Sequence, residues 1–131
     1  MKNYILLIAV TAITLVVITS GCTSTPDYTK DLRTVEASII HSDMDIRTGE
    51  PGNTLEVSDL VHNEGQETFS KVVVVFDLFD KNGDKITATP QVVIANLRPS
   101  ETRTVNYTYY NDNVPEGVAS AVTRVINATV T

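Results

Sequence analysis

From Lys71 to Lys85 the chain reads Lys-Val-Val-Val-Val-Phe-Asp-Leu-Phe-Asp-Lys-Asn-Gly-Asp-Lys. The two-residue period of a strand puts Val72, Val74, Phe76 and Leu78 on one face. Val73, Val75 and Phe79 fall on the other. A strand apolar on both faces predicts a place in the middle of a sheet, covered on both sides for most of its length. Asn82-Gly83 then supplies the positive φ angles of a tight hairpin turn.

The same alternation organises the rest of the chain. Leu32–His41 predicts a first strand, with Val35, Ala37 and Ile39 opposite Thr34, Glu36 and Ser38. Ser42–Gly52 is polar and predicts a loop, with room for a short strand around Met44 and Ile46. Asn53–Asn63 predicts a second strand with Leu55, Val57 and Val61 inward; Leu60 breaks the alternation through a bulge or through contact on the second face. After the Asn63–Gln66 turn come Thr68–Asp80 and its hairpin partner Lys85–Thr89. Pro90 marks a break or an edge position, because it has no N–H to donate. Gln91–Asn96 and Thr102–Tyr110 are further strands, joined by Leu97–Glu101. In the second, Val105, Tyr107 and Tyr109 oppose Thr104, Asn106, Thr108 and Tyr110. Val118–Val130 also fits helical spacing, but its β-branched content and the preceding Gly117 favour strand. About seven short strands separated by Gly, Pro and Asn turns predict an all-β, immunoglobulin-like antiparallel β-sandwich. The chain has no Trp and one Cys, so an antibody-type core is absent. Phe76, Leu78, Val105 and Tyr107 are expected to fill the space between the sheets.

The N-terminus follows a different pattern. Lys2 is followed by the uncharged run Tyr4–Ile18. That run falls short of the roughly 20 apolar residues of a bilayer-spanning helix and suits the apolar core of a secretory signal. Thr19-Ser20-Gly21-Cys22 comes next. This stretch resembles a prokaryotic lipoprotein signal, cleaved before a lipidated Cys; Ser20, Gly21 and Cys22 match, and Thr19 stands where the pattern has Leu, Val or Ile. The resemblance implies a signal peptide over residues 1–21, a diacyl anchor on Cys22 and a membrane partner reached through it. An uncleaved anchor, or ordinary cleavage leaving a free thiol, are the alternatives. Residues 22–30 are polar, carry Pro26 and predict a short tether, leaving 31–131 as the folded domain on the extracytoplasmic side, at the cell surface or periplasmic face.

Composition removes whole classes of function. The net charge is −6, one unit more negative once Lys2 leaves with the signal, and no basic cluster appears. Nucleic-acid binding needs a Lys/Arg footprint that this chain does not have. A single cysteine excludes an internal disulfide and a cysteine-rich zinc site. No nucleophile–base motif, phosphate loop or His-Glu-x-x-His spacing is present, so neither an enzyme nor a cofactor is expected.

Phe76-Asp77-Leu78-Phe79-Asp80 resembles the signature of the FxLYD domain family, with Phe79 in place of Tyr. Leu55-Glu56-Val57, Val61-His62-Asn63, Gly83 and Leu97–Glu101 fit the context of that motif. The resemblance implies a non-catalytic immunoglobulin-type sandwich on a lipoprotein or membrane protein, with an envelope protein as partner. An envelope spacer or subunit without its own ligand is the alternative. Phe76 and Leu78 are expected in the core, and Asp80 and Asn63 as acceptors of turn N–H groups. Asp80–Asp84 resembles part of a calcium loop, but Gly83 stands fourth where that loop needs Gly sixth. Asp80 and Asp84 are therefore only weak cation candidates, with Asp77 beside them. His41, Asp43, Asp45 and His62 are the remaining metal or acid–base candidates. Tyr110, facing away from Tyr107 and Tyr109, is a candidate partner surface. Asn106 and Asn127 begin Asn-x-Thr glycosylation patterns.

Overall fold

A computed structural model describes residues 27–131. The expected signal segment, Cys22 and the first part of the expected tether lie outside the described residues. Eight strands form two antiparallel sheets: β1 (Leu32–Thr34), β2 (Ser38–Met44), β3 (Pro51–Asn63), β4 (Phe69–Phe79), β5 (Lys85–Ala88), β6 (Val92–Leu97), β7 (Thr102–Tyr110) and β8 (Ser120–Val130). The chain is an all-β sandwich. Among the described residues no helix is long and apolar enough to cross a membrane.

Each sheet is built on one long strand. In the first, β7 pairs one edge of β3 from Thr54 to His62, while β1 and β2 share its other edge. In the second, β8 pairs the whole length of β4, while β5 and β6 share the opposite edge. In immunoglobulin lettering β2, β3 and β7 take the places of A, B and E, and β4 and β8 those of C and F. The sheets meet along their sides, with β6 beside β7 and β2 beside β8.

The core lies between the two inner faces. Leu55, Val57 and Val61 from β3, Val105 from β7, and Val72, Val74, Phe76 and Leu78 from β4 are buried there, with Ile94 and Leu97 from β6. Val125 and Ala128 of β8 and Tyr107 and Tyr109 of β7 pack against this cluster, the two tyrosine rings edge to face at 4.8 Å. Asn96 takes a left-handed φ of 53°, which Asn tolerates better than most residues. That twist lets both Ile94 and Leu97, three positions apart, point inward.

Four details differ from the sequence expectation. The first strand is two strands, so the count is eight. Its break, Val35–Ala37, lies opposite Asp59, whose carboxylate accepts the Val35 N–H at 3.3 Å in place of a backbone partner. Val35, expected to share a strand face with Ala37 and Ile39, is exposed in this break. The polar stretch expected to be tether as far as Lys30 is docked from Tyr28 onward. Asp27 caps the short 3₁₀ turn Tyr28–Asp31 by accepting the Thr29 N–H, and Tyr28 packs edge-on against Phe69 at 6.3 Å. Leu60 is no bulge, since β3 pairs β7 without a register shift; it faces solvent. Finally, β4 is buried on both faces over Val72–Leu78, as expected, but among the described residues a second layer packs only on its inner face. On the outer face Val73 and Val75 are just 4% and 6% exposed. Val93, Asn127 and Arg124 on the neighbouring strands flank them.

Candidate functional site

Two polar constellations stand out against this frame. The first sits where β2 turns into β3 and β7 ends. The Asp45 carboxylate accepts the Arg47 N–H at 3.0 Å and clasps its guanidinium through Nε at 3.0 Å and Nη2 at 2.7 Å. Asn111, at a left-handed φ of 51°, donates Nδ2–H to Asp45 at 3.2 Å and accepts the Asn53 N–H at 3.2 Å. A Cβ on Gly52 would come within 2.7 Å of Asn111 Oδ1, so this close approach requires glycine. The Arg47 guanidinium lies 3.8 Å from the centroid of the Tyr110 ring, a cation–π contact. Bonds from Arg47, and then from Asn111, hold the Asp45 carboxyl well below the usual carboxylate range. The carboxylate is thus fixed and ionised at neutral pH, a geometry that holds a loop and carries no proton in that range. Tyr110, the residue expected to face a partner, has its ring occupied by Arg47.

The second constellation lies on the outer face of the β4 sheet. Asp77, 8% exposed, receives Arg124 Nε at 2.9 Å and Nη2 at 3.1 Å, and Lys85 Nζ at 2.9 Å. The Arg124 bonds lead the causes that lower its pKa to about 2, with Lys85 adding to them against the cost of burial. Around this triad the face is apolar: Val73 and Val75 at the centre, with Val93 and Val122 each 54% exposed on the flanking strands.

The remaining candidates are dispersed. Asp80 Oδ1 accepts the N–H groups of Asn82 at 2.8 Å and Asp84 at 3.0 Å, and Gly83 takes φ 81°, so these residues build the hairpin turn. Phe76 and Leu78 are fully buried, and Phe79 ends its strand half-buried. Asn63 is also fully buried; it donates to the carbonyls of Glu67 at 2.8 Å and Leu97 at 3.2 Å and accepts the Gly65 N–H at 2.9 Å. His41 pairs opposite Leu55 on the inner side of β2, with Nε2 3.3 Å from the Val118 carbonyl. His62 is on the outer face, its Nδ1 2.7 Å from Thr102 Oγ1. With His41 opposite Leu55, the distance along β3 separates the two rings by roughly 20 Å. Among the described residues no three His, Cys, Asp or Glu side chains converge on one point. Asn106 and Asn127 are exposed on strands of opposite sheets.

Comparison of the chain with protein-family models, with curated proteins and with solved structures finds no match.

Sequence reasoning missed three side-chain links. Asp45–Arg47 had a local signal, since an Asp two residues before a cation in a turn can accept backbone and side chain together. Asp77 with Arg124, and Asp59 with Thr123, had none. The Thr123 hydroxyl donates to Asp59 across the interior, joining β8 of one sheet to β3 of the other. The partners are 47 and 64 residues apart and meet only through strand pairing and sheet stacking.

Proposed function

We propose that this chain is a lipid-anchored, extracytoplasmic β-sandwich that acts as a non-catalytic binding or assembly module at the cell envelope. The observation that carries the reading is the position of the only cysteine. Cys22 follows Ser20-Gly21 at the end of an uncharged run, where a lipoprotein signal needs its acylated residue. Two acyl chains give stable attachment where one binds marginally. The short polar segment between Cys22 and the docked Tyr28 keeps the sandwich near the bilayer surface. In this reading the sandwich is of FxLYD type, with Phe76 and Leu78 as core and Asp80 and Gly83 as the turn that closes the motif. Recognition then belongs to the strand edges and outer faces that the core holds in place.

The test is Cys22→Ser in the full-length chain. The expected result is loss of acylation and release from the membrane fraction. Retention in that fraction would assign anchoring to an uncleaved N-terminal segment and overturn the lipoprotein reading.

A further inference from the structure

The two sheets leave four strand edges, and three are poorly suited to further pairing. The β1/β2 edge is interrupted at Val35–Ala37 and shifts register between Ser42 and Met44. The β5/β6 edge is interrupted at Pro90 and twisted at Asn96. The β8 edge has a register shift opposite Val73 and Val74, and Asp27–Thr29 lies against its second half across a groove. Interruptions, bulges and covering segments of this kind blunt an edge.

The β7 edge has no interruption and no register shift; β6 of the other sheet runs beside it, and Arg103 Nη1 donates to the Ala95 carbonyl at 3.3 Å across the groove between them. The nine residues of β7 pair β3 without a shift, contain no proline and carry one charge, Arg103. Among the described residues no backbone hydrogen bond reaches its outer side. A straight, charge-poor, unpaired edge is a template for another strand. Beside it, between the edges of β6 and β7, runs an open groove of about 270 Å³ lined by Val92–Ala95 and Arg103–Asn106.

We propose that β7 pairs antiparallel with β7 of a second copy, about a two-fold axis centred on Asn106. The proposal rests on the assembly reading and names its partner. Symmetry and pleat restrict the register. A two-fold must run through a residue if inward side chains are to face inward ones. The axis at Asn106 alone pairs all nine residues, from Thr102 with Tyr110 through Thr104 with Thr108 to Asn106 with itself. Val105 then meets Tyr107 on the inner row, a β-branched–aromatic pair, and Thr meets Thr on the outer row. Arg103 falls opposite Tyr109, so no like charges face each other. Because the axis is normal to the sheet, the second sheets of both copies stay on one side, and the two grooves face each other. The first sheet becomes continuous across both molecules.

Asn106→Cys in the full-length, membrane-held chain tests the register. Residues facing across a two-fold have Cα atoms about 4.5–5.5 Å apart, within reach of a disulfide. Mild oxidation is expected to give a cross-linked dimer, while Ile40→Cys, exposed on the opposite edge of the sheet, gives none. Adding Thr104→Lys and Thr108→Lys to N106C sets like charges opposite each other and should lower cross-linking several-fold. Thr104→Lys with Thr108→Glu sets opposite charges there and should restore it. Absence of the cross-link in a protease-resistant, folded N106C chain overturns the proposal, as does cross-linking that ignores the charges or a glycan on Asn106 of the mature chain. A chain that stays monomeric and still co-purifies with another envelope protein overturns self-pairing while leaving the module reading intact.

Discussion

The two central strands do the same job with different sequences. β3 pairs on both edges and sends Leu55, Val57 and Val61 into the core, while Glu56, Ser58, Leu60 and His62 face outward. β4 also pairs on both edges and sends Val72, Val74, Phe76 and Leu78 inward, but its outward residues include Val73 and Val75. Burial on the inner faces comes from the opposite sheet. Among the described residues, what flanks Val73 and Val75 on the outer face of β4 is Val93, Asn127 and Arg124 of the neighbouring strands, whereas the outward Leu60 of β3 stays exposed. A continuous apolar run here marks a central strand buried on both faces. The outcome is one sheet with a mixed outer face and one with an apolar outer face on which the buried carboxylate of Asp77 is paired to two cations.

The largest effect is expected on the shared inner face. Phe76→Ala removes a fully buried ring and should destabilise the fold by about 3–5 kcal/mol in chemical denaturation; a change below about 1 kcal/mol would place that ring outside the core. The outer faces should separate the two sheets next. Val75→Ala should cost about 1–2 kcal/mol, because it strips methyls that neighbouring strands already shield. Glu56→Ala, at an outward position of β3, should stay within about 0.5 kcal/mol. Equal costs would dissolve the contrast. The smallest effect is electrostatic. The pKa of Asp77 lies near 2, below the value of about 4 for an unfolded Asp. Its contribution is thus complete above that unfolded value and is lost as pH falls toward 2. Because Arg124 and Lys85 are half exposed, solvent screening reduces this to about 1 kcal/mol. Wild type should lose about that much more stability than Asp77→Asn between pH 5 and pH 2, measured by denaturation at each pH; parallel losses would make the triad a surface ornament.

Much of this was legible along the chain. Alternation located Thr102–Tyr110 to the residue, and the β-branched content of the last segment correctly outweighed its helical spacing. The hairpin at Asn82-Gly83 and the acceptor role of Asp80 follow from local chemistry, since a carboxylate two residues before an N–H finds it within one turn. The break in the first strand was not legible. Val35 and Ala37 alternate as a strand should, and only Asp59, 24 residues away, supplies the acceptor that replaces a ladder bond there. Tyr110 was correctly placed apart from Tyr107 and Tyr109, but its cover by Arg47 depends on where the Asp45–Glu50 turn folds back.

Sequence alone determined the all-β class, most of the strands, the inward rows of β3 and β4, and the hairpin, because a period of two and turn residues act over a few neighbours. Tertiary structure decided the pairing of edges, the Asp77–Arg124 and Asp59–Thr123 links and the choice of β7 as the straight open edge. Those outcomes depend on how strands distant in sequence are stacked and registered, and each residue's own neighbours carry no record of that.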